Sequence, residues 1–79
     1  PPSTNIADWL LKNNLLDVEI LKTGLFKDEG LLKWAIENQI LENLDKALDD
    51  IRTQAVTDQK QKVVSWIDEF KRTYSKEKL

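Results

Sequence analysis

The chain has 79 residues, with 12 Lys or Arg against 14 Asp or Glu, a formal net charge of −2, and no Cys, His or Met. Without Cys there is no disulfide scaffold, no thiol nucleophile and no cysteine zinc cluster; without His the commonest general base and metal ligand is missing. No apolar run approaches the roughly 20 residues that span a bilayer, and no basic start with an apolar stretch and a small-residue cleavage site marks a signal peptide.

The length predicts one domain. Leu, Lys, Glu, Gln and Ala dominate while Gly and Pro number two each, so the fold class is all-α. Residues 1–4 read as the end of an interdomain linker, 5–75 as a single helical-bundle domain and 76–79 as a fraying end. The absence of Met suggests an excised part of a larger protein.

Asn5 or Thr4 suits the N-cap of the first helix, on which Ile6, Trp9 and Leu10 share a face and Asp8 precedes Lys12 by four. Continued past Asn13-Asn14, that helix would carry Asn13 and Asp17 into the middle of its apolar face, so a break is expected there. The second element spans about Leu15 to Lys22. Its apolar residues (Leu15, Leu16, Val18, Ile20, Leu21) point nearly all round, so it is either buried or meets something on its outer half. Gly24 suits the left-handed position after its end.

Asp28 caps the third and longest element, with Glu29 in its first turn and Glu29/Lys33 and Glu42/Lys46 as spaced ion pairs. Ile40, Leu41, Leu44, Ala47, Leu48, Ile51 and Ala55 form one stripe, flanked by Trp34 and Ile36. The heptad then runs into Asp58, Lys62, Ser65 and Glu69, all polar. A fresh stripe at Val63, Trp66, Ile67, Phe70 and Tyr74 follows, so a break is expected at Val56–Asp58. Thr57 or Asp58 would cap the last helix, Asp58 with Gln61 resembling a capping box, and Asp58/Lys62 and Asp68/Arg72 would support it.

These elements predict a compact bundle of three to four helices, two short ones followed by two long antiparallel ones. Charge is unevenly spread: residues 1–50 hold five Lys and ten carboxylates (−5), and residues 51–79 hold seven Lys or Arg and four carboxylates (+3).

Little in the chain can carry chemistry. Ser3, Ser65 and Ser75 have no His for activation and no Gly-rich elbow. Asp49-Asp50 and Asp68-Glu69 are adjacent in sequence, and helical neighbours do not face each other. Asp45 to Asp50 lacks the spacing and central Gly of a calcium loop. No catalytic residue, cofactor or metal is therefore expected. The last helix carries Lys60, Lys62, Lys71, Arg72, Lys76 and Lys78, but Asp58, Asp68, Glu69 and Glu77 interleave with them, and a pI near 5.0 opposes phosphate binding. An amphipathic membrane-surface helix is only weakly suggested by the same segment.

What remains is a set of apolar residues left over once the stripes are assigned: Leu11, Leu15, Leu25, Phe26, Trp34, Ile36 and Val64. A cluster of them would mark a partner site, with Phe26 and Trp34 as aromatic anchors. The expected function is a non-catalytic protein–protein interaction module, an adaptor or scaffold domain, that takes a partner helix or peptide in an apolar groove. Self-association comes next and nucleic-acid binding through the last helix third. A Cys-free chain suits the cytoplasm or nucleus.

Overall fold

A computed structural model describes the backbone of residues 2–78 and the side chains of residues 4–74. Among these residues there are five α-helices and no strand: α1 (Pro2–Lys12), α2 (Val18–Lys22), α3 (Glu29–Glu37), α4 (Leu44–Thr57) and α5 (Gln61–Lys78). A single 3-10 turn, Leu25–Lys27, sits between α2 and α3. The radius of gyration is 12.5 Å, close to the ~12 Å of a folded chain of this length.

Three of the starts have a chemical reason. α1 opens at Pro2 rather than at Thr4 or Asn5; proline is pre-set for a first helical turn, where its missing N–H costs nothing. The Asp17 carboxylate accepts from the Glu19 and Ile20 amides at 3.0 and 3.2 Å. Asp17, which interrupted the apolar face in sequence, is thus the N-cap of α2. The Asp28 carboxylate does the same for α3, accepting from the Leu31 amide at 3.1 Å.

Three helix ends share one device. After α1, α3 and α4 the backbone turns left-handed at Asn14, Gln39 and Gln59, with φ of 58°, 56° and 59°. In each, the amide of the next residue reaches back five positions: Leu15 to Leu10 (2.8 Å), Ile40 to Ala35 (2.9 Å) and Lys60 to Ala55 (2.8 Å). The left-handed residue itself donates to Leu11, Ile36 and Val56 respectively. These paired bonds define the Schellman motif, which satisfies carbonyls a helix end would leave orphaned. At two of the ends an asparagine adds a bond, as Asn13 and Asn38 donate through Nδ2 to the carbonyls of Trp9 and Trp34.

Several expectations are corrected. The third element is two helices, α3 and α4, separated at residues 38–43. Ile40 continued the apolar stripe in sequence because an apolar residue commonly follows the left-handed position in this motif and packs back on the helix; here Ile40 and Leu41 are half-buried against the core. Asp58 ends α4 rather than capping α5, and its nearest cation is Lys60 at 3.9 Å. Gly24 is not left-handed, at φ −109° and ψ −7°. Two expected ion pairs also change partner: Lys46 meets Asp50 at 3.0 Å, and Arg72 meets Glu69.

The core holds Ala7, Leu21, Leu25, Leu32, Trp34, Ala35, Leu48, Ile51, Ala55, Val63, Val64 and Ile67, with no buried polar residue among those described. Leu25 is at its centre, fully enclosed on a 3-10 turn that touches α2, α3 and α4. α1 packs on α3, Ala7 on α1 is buried, and the Trp34 indole Nε1 donates to the Asp8 carboxylate at 3.4 Å. Between α4 and α5, Arg52 grips Asp68 with two bonds of 2.7 and 3.1 Å and Lys71 meets Asp49. Stepping three residues back along α4 therefore steps three forward along α5. On α5, the rings of Trp66, Phe70 and Tyr74 stack in sequence, 5.3 and 5.6 Å apart.

Candidate protein-docking surface

Large apolar side chains left in water mark where a small domain has failed to cover itself. The most exposed are Ile6 (62%), Trp9 (58%), Leu15 (60%), Ile20 (68%) and Val56 (53%). Three of these five, Ile6, Leu15 and Ile20, line one open cleft of about 330 Å³.

The cleft follows from how the chain turns between α1 and α2. α1 contributes Ile6 and Leu10, four residues apart and hence neighbours on its surface. The Schellman turn at Asn14 and the cap at Asp17 redirect the chain so that Leu15 and Leu16 form one end of the cleft. α2 returns with Ile20, while Ala7, Leu21 and Leu31 lie beneath. Successive residues of α2 point about 100° apart, so with Leu21 buried, Ile20, one position earlier, faces out. Asp17 is the one charged residue in the lining. Trp9 stands three residues from Ile6 on the same helix and extends the apolar surface.

The residues singled out from the sequence are dispersed. Leu25, Trp34 and Val64 are buried in the core. Leu11, Phe26 and Ile36 are half-buried against it. Leu15 is exposed and belongs to the cleft. Phe26 lies elsewhere, beside Thr53, Gln54, Thr57 and Asp58, with the Lys27 ammonium 5.4 Å from its ring centre. Ile6, Trp9 and Ile20 were not singled out. The signal for Ile20 was present in the all-round apolarity of its segment, which demanded either burial or a contact outside.

The acidic neighbours considered for catalysis are each tied to a cation. Asp49 meets Lys71, Asp50 meets Lys46, Asp68 meets Arg52 and Glu69 meets Arg72. The hydrogen bond from Arg52, aided by its charge, holds the Asp68 carboxyl below the usual range, against the opposing effect of partial burial. The same bond raises Arg52. A pair that keeps both members ionised is a brace rather than a proton-transfer device. Among the described residues no cluster of three or more His, Cys, Asp or Glu could hold a metal ion, and no helix is long and apolar enough to cross a membrane.

Comparison of the chain with protein-family models, with curated protein sequences and with solved structures gives no match in any of the three.

Proposed function

We propose that this chain is a non-catalytic protein–protein interaction module, an adaptor or scaffold unit whose contact surface is the cleft between α1 and α2. The observation that carries the reading is the gathering of Ile6, Leu15 and Ile20, each more than half exposed, around one recess, with Trp9 beside it. The occupant is an amphipathic helix. Its apolar residues, spaced three and four apart, enter the recess, and a basic residue on its flank faces Asp17, the cleft's only charged lining residue. In this reading α4 and α5 form an antiparallel hairpin that holds the shorter helices in place, supported by the Arg52–Asp68 and Asp49–Lys71 pairs. The chain works in the cytoplasm or nucleus, where the lack of Cys is unremarkable.

Nucleic-acid binding through α5 has less support, because Lys71 and Arg72 are already engaged by Asp49 and Glu69. The test is selection from a displayed library of randomised helical peptides on this chain, at a protein concentration of a few micromolar. The recovered sequences should share apolar residues at i, i+3 or i+4 and i+7, and should not bind Leu15→Glu or Ile20→Glu. Failure to enrich any sequence, or binders indifferent to both substitutions, refutes the reading.

A further inference from the structure

We propose that the helix taken by this cleft belongs to a second copy of the chain, so that two copies pair through their α1–α2 faces about a two-fold axis. The inference rests on the reading of the cleft as a docking surface and adds the identity of its occupant. A two-fold contact requires one patch to carry both halves of the fit. This patch does: Ile6 and Trp9, three residues apart, form an apolar ridge on α1, and the recess ending at Leu15 and Ile20 lies next to it. α1 is itself a helix of the kind the cleft accepts, with Ile6, Trp9 and Leu10 at i, i+3 and i+4.

The area is consistent with this occupant. Four large side chains, exposed by 58 to 68%, leave on the order of 500 Å² of mainly apolar surface per copy. Pairing two copies therefore removes about 1,000 Å² before any rim is counted, the lower edge of what a specific interface needs. The dimer is accordingly weak and reversible. Charge does not oppose it: around the patch Lys12 and Lys22 stand against Asp8, Asp17 and Glu19, with Lys12 bound to Asp8 and Lys22 to Glu19. A rim of mixed sign meets its own copy without the like-sign repulsion of a one-signed surface.

The experiment is sedimentation velocity on the 79-residue chain, from about 10 µM to 1 mM, the range for an interface at the small end of the scale. The wild type should move from 9.2 kDa toward twice that mass. Leu15→Glu and Ile20→Glu place a charge in the contact and should weaken association at least tenfold, with Leu15→Ser as a milder third variant. Each should keep the helical circular-dichroism spectrum, since both positions are more than half exposed. Val56→Glu, exposed on α4 and outside the cleft, should associate as the wild type does.

A wild type that stays at 9.2 kDa throughout, or association that Val56→Glu abolishes while Ile20→Glu does not, overturns the pairing. Helical-peptide selection separates the two failures. A monomer that still selects helices through Leu15 and Ile20 refutes the second copy alone, and a monomer that selects none refutes the docking surface as well.

Discussion

The three Schellman ends offer a test of the fold that reaches every long segment of it. Left-handed backbone costs an L-residue roughly 1–2 kcal/mol, and glycine is free of that cost. Yet Gln39 and Gln59, with no compensating short polar side chain, occupy it at φ 56° and 59°. Replacing either with Gly removes the strain and adds unfolded-chain entropy of about 0.5–1 kcal/mol. The balance is a gain of about 0.5–1 kcal/mol per site, or roughly 2–8 °C in Tm for a domain this small. The sites end different helices and share no hydrogen bond, so Gln39→Gly/Gln59→Gly should gain close to the sum. Asn14→Gly and Asn43→Gly should gain less, because asparagine visits this conformation more readily. Lys33→Gly, exposed within α3, is the opposite control and should lose about 1 kcal/mol. Urea unfolding followed by circular dichroism gives the ranking. If both glutamine replacements are neutral or destabilising while Lys33→Gly behaves as stated, the helix ends are not left-handed at those residues and the three-break architecture is wrong.

Gly24→Ala should stabilise by about 0.4–1 kcal/mol through the unfolded chain, since its φ of −109° suits any residue and an added Cβ would meet only the Leu21 carbonyl oxygen, at 3.8 Å; a loss in thermal unfolding would place Gly24 in a different conformation. Leu25→Ala empties the centre of the core and should cost about 2–5 kcal/mol, most of the margin of a small domain, so the cooperative thermal transition should be lost or displaced far down. Asp28→Ala removes the α3 cap and should cost about 1 kcal/mol in the same assay. The Arg52–Asp68 brace has a pH signature. The folded-state pKa of Asp68 is lowered, so its stabilisation is present above the unfolded carboxylate range and is lost as pH falls through the lower, folded value. Asp68→Asn should therefore unfold more easily than the wild type at neutral pH, with the two midpoints converging in strong acid; a gap that stays constant with pH would remove the ion pair from the account.

The sequence carried the fold class and two of the helix breaks plainly. Asn13-Asn14 and the shift from the Ile51–Ala55 stripe to the Val63–Phe70 stripe both coincide with real ends, because a polar residue in the middle of an apolar face is a strong veto on continuing a helix. The break at residues 38–43 was hidden by Ile40 and Leu41, which keep helical spacing while serving a turn. Nothing in composition marks Gln39 or Gln59 as left-handed, since no glycine stands there and the hydrogen bonds around them outweigh the local preference.

The docking surface was harder to read for a more general reason. Periodicity says which residues share a helix face, not which face turns inward. On α1, Ile6, Trp9 and Leu10 form the apolar face that the spacing shows. Among the described residues of α1 the one that is buried is Ala7, the smallest apolar side chain on the helix, while α1 contacts α3 and Trp34 reaches Asp8. With Ala7 turned inward, Ile6 and Trp9, about 100° and 200° round the helix from it, face outward. Three of the residues assigned to a partner site, Leu25, Trp34 and Val64, are instead buried in the core. Ala7→Leu separates this account from a simple ranking by size: if Ala7 sets the helix approach, the added side chain should destabilise the domain by about 1–3 kcal/mol through overpacking. It should also change the fluorescence of Trp34 as its contact with Asp8 is lost. A stabilising Ala7→Leu would mean that α1 has room to take a larger residue inward, and that Ile6 and Trp9 are exposed for some other reason than the tight seat of Ala7.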